Sequence, residues 1–275
     1  MHDSYGEIDV PVQLINPSST DVPPSFKPLP LPQALLLFLV PAVLFRFVLY
    51  NGTGLLVAHG VSQATAVISA FLIPSVLLLL AAFVAARFDG YALAWPVIRE
   101  RFRFRRLSWR SWLWVIGGAL FALAGEQLLA FTGALLVRIP LFTPPAYLAF
   151  LNPTVRPSLT AFLGVSLRGN WGFLALFTGL VVVQVAAEEC WWRGYIFPRQ
   201  ELVYGKRTWL IHGVLWTSFH FIFYPWNVLV DLFFCTTIAF IVQRTQNTSV
   251  SFLIHLLYNG VTPIFLLLVV LGAIH

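Results

Sequence analysis

Two adjacent carboxylates, Glu188 and Glu189, close an apolar stretch that runs from Leu174 to Ala187 with Gln184 as its one strongly polar residue. Arg193 follows, so three charges sit in a run that hydrocarbon would tolerate poorly. A carboxylate at the centre of a membrane helix costs about 2.5–3.5 kcal/mol by insertion scales, and a like charge beside it raises that cost. Such a pair must be held or used. On a helix Glu189 and Arg193 are i,i+4 neighbours and can pair, with the acid N-terminal to the base. Glu188 points ~100° away, on the face of Gln184 and Trp192. One carboxylate is thus neutralised while the other is free for chemistry.

Two more polar clusters interrupt apolar segments. His220 ends the run Trp216-Thr217-Ser218-Phe219-His220, and His255 stands one helical turn before Asn259, so that their heads converge. With no water in a span to satisfy them, these groups are expected to face one another inside a bundle. A carboxylate base acting on water, a histidine that orients the water and a His/Asn donor pair for an oxyanion are the parts of amide hydrolysis. Glu188, His220 and His255 are also the three ligand types of a catalytic zinc site. Asn259 beside His255 suits an oxyanion better than a zinc shell, so the expectation is a metal-free site with no cofactor.

Each group also has a structural reading. The Glu188/Glu189/Arg193 run can be an ion-pair knot, His220 a satisfied core histidine, and His255 with Asn259 an interhelical clamp. His212 shares a face with Trp216 and His220 but falls near the expected membrane surface, which assigns it an interfacial role. Glu126, Gln127 and Asp231 are intramembrane polar groups outside these clusters, with no role fixed by spacing. Cys190 and Cys235 read as small buried hydrophobes.

The elements that must position these residues are spanning helices. The 275 residues are 59% hydrophobic and only 10% charged, with mean hydropathy +0.81, whereas soluble domains carry about 25% charge. The expected class is an all-α polytopic bundle of about seven transmembrane helices with a four-helix catalytic core. The apolar segments run over residues 33–50, 64–86, 112–137, 171–200, 208–224, 226–243 and 249–271. The first is short and holds Pro41 and Arg46, as a tilted or interfacial segment would. Residues 1–32 read as a disordered tail, 33–170 as N-terminal helices and loops, and 171–275 as the catalytic core. Tryptophans 109, 112, 114, 209 and 226 read as interface anchors.

Seven arginines between Arg87 and Arg110 mark that connection as cytoplasmic. Threading seven spans from there puts thirteen of the seventeen basic residues inside and three, Arg138, Arg156 and Arg168, outside. The net charge of +6 thus sets orientation, and no nucleic-acid partner is expected. If the chain turns near residues 200–207, Glu188 and His220 each lie 12 residues from that turn, ~18 Å along their helices, and so come level. His255 lies shallower by the same count. This depth predicts scission near the cytoplasmic half of the bilayer.

The three motifs in this order resemble the CAAX prenyl protease and bacteriocin-processing family, also called CPBP or Abi. Its pattern is EExxxR, FxxxH, then HxxxN or HxxxD. Here these are Glu188 through Arg193 followed by Gly194, Trp216 through His220 with Trp in place of Phe, and His255 through Asn259. The resemblance covers residues 171–260 and implies an intramembrane glutamate protease. In it Glu188 is the general base, Glu189 and Arg193 support it, His220 positions water, and His255 with Asn259 form the oxyanion site. Trp216 takes the packing role of the family's Phe. The implied partners are a peptide or protein substrate, lipidated or not, and membrane lipid, in what the compact chain suggests is a bacterial inner membrane. Two other readings stay open: a catalytically idle member that acts in bacteriocin immunity or as a binding partner, and an ion-coupled transporter. The absence of an internal repeat counts against the transporter.

Overall fold

The computed structural model describes residues 26–156 and 158–274. The tail expected over residues 1–32 therefore falls, through residue 25, outside the described residues. From Leu31 onward the described residues are mostly helical, apart from the 137–170 connection. The long helices are α1 (Leu31–Ala58), α2 (Gln63–Phe88) and α4 (Trp109–Leu136), with the short α3 (Trp95–Arg101) between the last two. The first segment is longer than the apolar run 33–50 suggested: α1 continues through a wider π-helical turn at Phe47–Gly52 and is long and apolar enough to span.

Helix starts follow ordinary capping chemistry. Ser62 accepts from the Thr65 N–H at the start of α2, and Ser108 and Ser111 form a reciprocal box at the start of α4. After α4 the chain crosses 137–170 in 3₁₀ turns and a two-residue hairpin, Ala161–Phe162 against Val165–Ser166. Leu163 and Gly164 at its tip both take positive φ, the conformation a tight hairpin turn demands.

A continuous helical run of 51 residues, Trp171–Phe221, carries most of the polar motif residues. At 1.5 Å per residue it would reach ~76 Å if straight, more than twice a bilayer core. It folds back instead. Gly205, at φ +52°, breaks it, and side chains pair across the break: Gln200 with His212 (2.6 Å) and Glu188 with Trp216 (3.0 Å). The inbound limb is α5 (Trp171–Glu188), a π-helical stretch Glu189–Ile196 and α6 (Phe197–Tyr204); the outbound limb is α7 (Thr208–Phe221). The chain ends with α8 (Val228–Thr245) and with α9 (Thr248–Asn259) and α10 (Val261–Val270), a pair bent by 43°. Among the described residues five helices are long and apolar enough to cross a membrane, and the bent pair adds a sixth. The fold-back at Gly205 divides the longest into two antiparallel limbs.

Hydrogen bonds tie the connections into two opposite faces. On one, Arg199 pairs with Asp89 and Arg103 with Glu201, Thr248 N–H donates to the Arg103 carbonyl, and Gln243 donates to the Gly205 carbonyl. On the other, Tyr50 donates to the Phe223 carbonyl, Tyr147 to the Tyr50 carbonyl and Gly169 N–H to the Val270 carbonyl. The first face holds the arginine-rich connection. The second holds Arg138, Arg156 and Arg168.

Helices approach closely where glycine allows it. A Cβ on Gly194 would stand 2.7 Å from the Phe102 ring, and one on Gly213 would stand 2.6 Å from the Thr236 side chain on α8. The first contact locks the π-helical stretch against the end of α3, the second α7 against α8.

Candidate active site

Glu188 is the last residue of α5 and Glu189 the first of the π-helical stretch, and both are buried. They face different neighbours, as the ~100° step between adjacent helical residues requires. Glu188 turns toward α7. Its Oε2 accepts a hydrogen bond from the Trp216 indole Nε1 at 3.0 Å and lies 3.8 Å from His220 Nε2. His220 Nδ1 donates to the Trp216 carbonyl at 3.2 Å. In the neutral ring this leaves Nε2 without a proton and facing Glu188.

Glu189 turns toward α9. Its Oε1 lies 2.9 Å from His255 Nδ1 and 3.4 Å from Arg193 Nη1, and its Oε2 accepts from the Ser251 hydroxyl at 2.5 Å. The expected partner Arg193 is present, but it shares the carboxylate with two groups on another helix. Arg193 itself is fully buried, and its guanidinium lies 3.4 Å from the centre of the Trp216 ring. Such a face-on cation contact is strongest when desolvated.

Trp216 therefore does more than pack. Its N–H holds one carboxylate and its face holds the cation paired with the other. Sequence reasoning missed this. The substitution of Trp for Phe was the available signal, since a buried indole N–H seeks an acceptor.

Glu188, His220, His255 and Asn259 all line one cavity of about 390 Å³. Asn259 is half-buried on its wall, one turn beyond His255. Glu189 and Arg193 are not on that wall; they lie behind it. Glu126, Gln127, Gln184 and Asp231 line the same cavity, so polar groups left without a role by spacing belong to one place. Asp231 Oδ1 accepts from Asn227 at 2.8 Å, while its Oδ2 has no hydrogen-bond partner among the described residues.

Two expectations need correction. His212 is not interfacial: it is fully buried, with Nδ1 2.6 Å from Gln200 Oε1 and its ring between Phe38 and Phe197. The sequence placed it near the surface because it lies close to the turn, but α1 and α6 cover it. Trp226 is likewise 4% exposed and packs in the core, whereas Trp109, Trp112 and Trp114 are exposed. Among the described residues no group of three or more His, Cys, Asp and Glu side chains is placed to share a metal ion.

Residues 170–261 match the family model described as type II CAAX prenyl endopeptidase Rce1-like. That segment, about a third of the chain, contains all six motif residues from Glu188 to Asn259. It is similar at the level of the family to CAAX-type intramembrane proteases, whose substrates are proteins or peptides. No curated protein and no solved structure matched the chain.

Proposed function

We propose that this multi-pass membrane protein is an intramembrane endopeptidase in which Glu188 activates the attacking water. The observation that carries this reading is the arrangement of Glu188, His220, His255 and Asn259 around one cavity. A water ~2.8 Å from both Glu188 Oε2 and His220 Nε2 fits the 3.8 Å between them, because the three atoms then form an open triangle. Glu188 takes one proton as the water oxygen bonds to the scissile carbonyl carbon. His220 Nε2 accepts the water's other hydrogen bond and fixes its lone pair toward the carbon.

The carbonyl oxygen then carries negative charge. The Asn259 amide donates to it in any protonation state. His255 contributes from Nε2 only when its ring carries both protons, because its Nδ1–H already points to Glu189. Collapse of the intermediate breaks the C–N bond, and the proton held by Glu188 passes to the leaving amine. Glu189, Arg193 and Trp216 touch no substrate in this scheme. They hold His255 and Glu188 in place, as supporting shells do in pre-organised sites.

The site lies in a bacterial inner membrane in this reading, and its substrates are membrane-associated peptides, lipidated or not. The test is cleavage of a peptide library by the purified protein in liposomes, beside the Glu188→Gln variant. Products that form with the wild type and vanish with the folded variant support an endopeptidase. Identical products with both overturn the role of Glu188, and none with either while labelled peptide still binds favours an idle binding protein.

A further inference from the structure

A groove of about 560 Å³, lined by α4, α8 and Trp209 of α7, lies apart from the active-site cavity and shares no lining residue with it. Its walls are apolar. Leu113, Trp114 and Phe121 on α4 are exposed, and the Thr236 hydroxyl on α8 is satisfied within its own helix by the Leu232 carbonyl at 2.6 Å. Two adjacent glycines on α4 do different things here. A Cβ on Gly118 would meet Ile241 and Ile254 at 2.7 Å, so Gly118 lets the helices pack; a Cβ on Gly117 would meet nothing within 4 Å, so Gly117 leaves the groove open.

Toward the arginine-rich face the groove adjoins a second hollow of about 360 Å³, with Trp209 and Phe240 in both walls. The rest of that hollow is lined by Lys206, Gln243 and Arg244. Chain order fixes the stacking: α8 runs from Thr236 in the groove to Arg244 in the hollow, and Lys206 stands on the turn before α7. Both cations are exposed, and neither forms a salt bridge among the described residues. The Arg244 guanidinium lies 5.1 Å from the centre of the Phe240 ring, where the two spaces meet. Glu201, the acid nearest Lys206 in sequence, is already held by Arg103 and Gln246. Arg110 adds a third cation at this end, on the face of α4 that carries Leu113 and Trp114 three and four residues later.

We propose that the groove seats an acyl chain of an anionic phospholipid whose phosphate is held by Lys206 and Arg244. Basic pockets between spanning helices on the cytoplasmic side bind anionic head groups, and free Lys and Arg donors match phosphate oxygens. The apolar trough continues from that head site in the direction a lipid tail takes. A partner helix fits the space poorly. At 10–12 Å across it fills ~420–610 Å³ per turn, whereas the trough runs ~12 Å from Leu113 to Phe121, more than two turns.

The test is native mass spectrometry of the full chain, delipidated in detergent and titrated with phosphatidylglycerol or with phosphatidylcholine of the same acyl chains. The expected result is tighter binding of phosphatidylglycerol. Lys206→Ala combined with Arg244→Ala should weaken it ~25-fold, about fivefold for each basic residue near an anionic head group. Arg138→Ala combined with Arg156→Ala, on the opposite face, should leave it unchanged. Gly117→Trp fills the trough and should abolish the preference; a melting curve shows that this variant is folded, and the exposed Lys206/Arg244 pair decides the outcome if it is not. Equal affinity for the two lipids, unchanged binding by the Lys206/Arg244 variant, or equal loss in the Arg138/Arg156 control overturns the proposal. So does normal phosphatidylglycerol binding by folded Gly117→Trp. A dimer that Gly117→Trp dissolves would give the groove to a second copy of the chain, and binding of a lipidated peptide in place of phosphatidylglycerol would give it to a substrate; either result overturns the proposal too.

Discussion

Replacing Trp216 by Phe tests whether the general base depends on a donor that the family pattern does not require. The change keeps an aromatic ring beneath Arg193 and deletes the Nε1–H that reaches Glu188 Oε2 at 3.0 Å. A hydrogen bond to a charged group contributes ~1.5–3 kcal/mol. If that bond orients Glu188 equally in the reacting complex, its loss slows kcat/KM by ~10- to 150-fold at ~1.4 kcal/mol per decade. Trp216 is fully buried and in the proposed scheme touches no substrate, so the loss belongs in kcat with KM nearly unchanged. The assay is cleavage of a fluorogenic peptide in liposomes, paired with a detergent melting curve. Trp216→Leu is the companion variant: it loses the N–H and the cation contact together, so it should be both slow and less stable. A Trp216→Phe protein that melts as the wild type does and cuts at the wild-type rate would refute the positioning role.

Glu188→Gln should fold normally and lose ~10²–10⁴-fold in kcat, since an amide cannot take the proton; wild-type turnover of the purified variant would remove Glu188 from the base role. Glu189→Gln should instead lower the melting temperature, because it leaves the fully buried Arg193 without its counter-charge, a loss of ~3–5 kcal/mol by analogy with other broken buried pairs. If that variant is stable but dead while Glu188→Gln is active, the two roles are exchanged. Gly194→Ala should cost ~1–3 kcal/mol by overpacking, its methyl meeting Phe102 at 2.7 Å; chemical denaturation that finds no change would show that α3 yields freely.

The all-helical class was legible in composition, and the depth at which Glu188 meets His220 was legible in a residue count, because both limbs leave the same turn. What spacing cannot encode is a shared partner. Glu189 and Arg193 satisfy the i,i+4 rule, yet His255 and Ser251 reach the same carboxylate from a helix more than sixty residues later. The π-helical winding from Glu189 to Ile196 was also not anticipated, although Gly194 lies within it and Pro198 follows it. The depth count brought Glu188 level with His220, and they lie 3.8 Å apart, but it left His255 shallower, whereas His255 Nδ1 stands 2.9 Å from Glu189. The buried run from 187 to 200 becomes a plug only once α1 lies against it.

The adjacent carboxylates make physical sense through this asymmetry. One helical step sends Glu189 into the plug, where Arg193, His255 and Ser251 surround it, and sends Glu188 to the floor of the cavity. Trp216 joins the two environments, with its edge on the cavity side and its face on the plug side. A residue that packs against the buried stretch therefore also holds Glu188, and in the proposed reaction that contact aims the base.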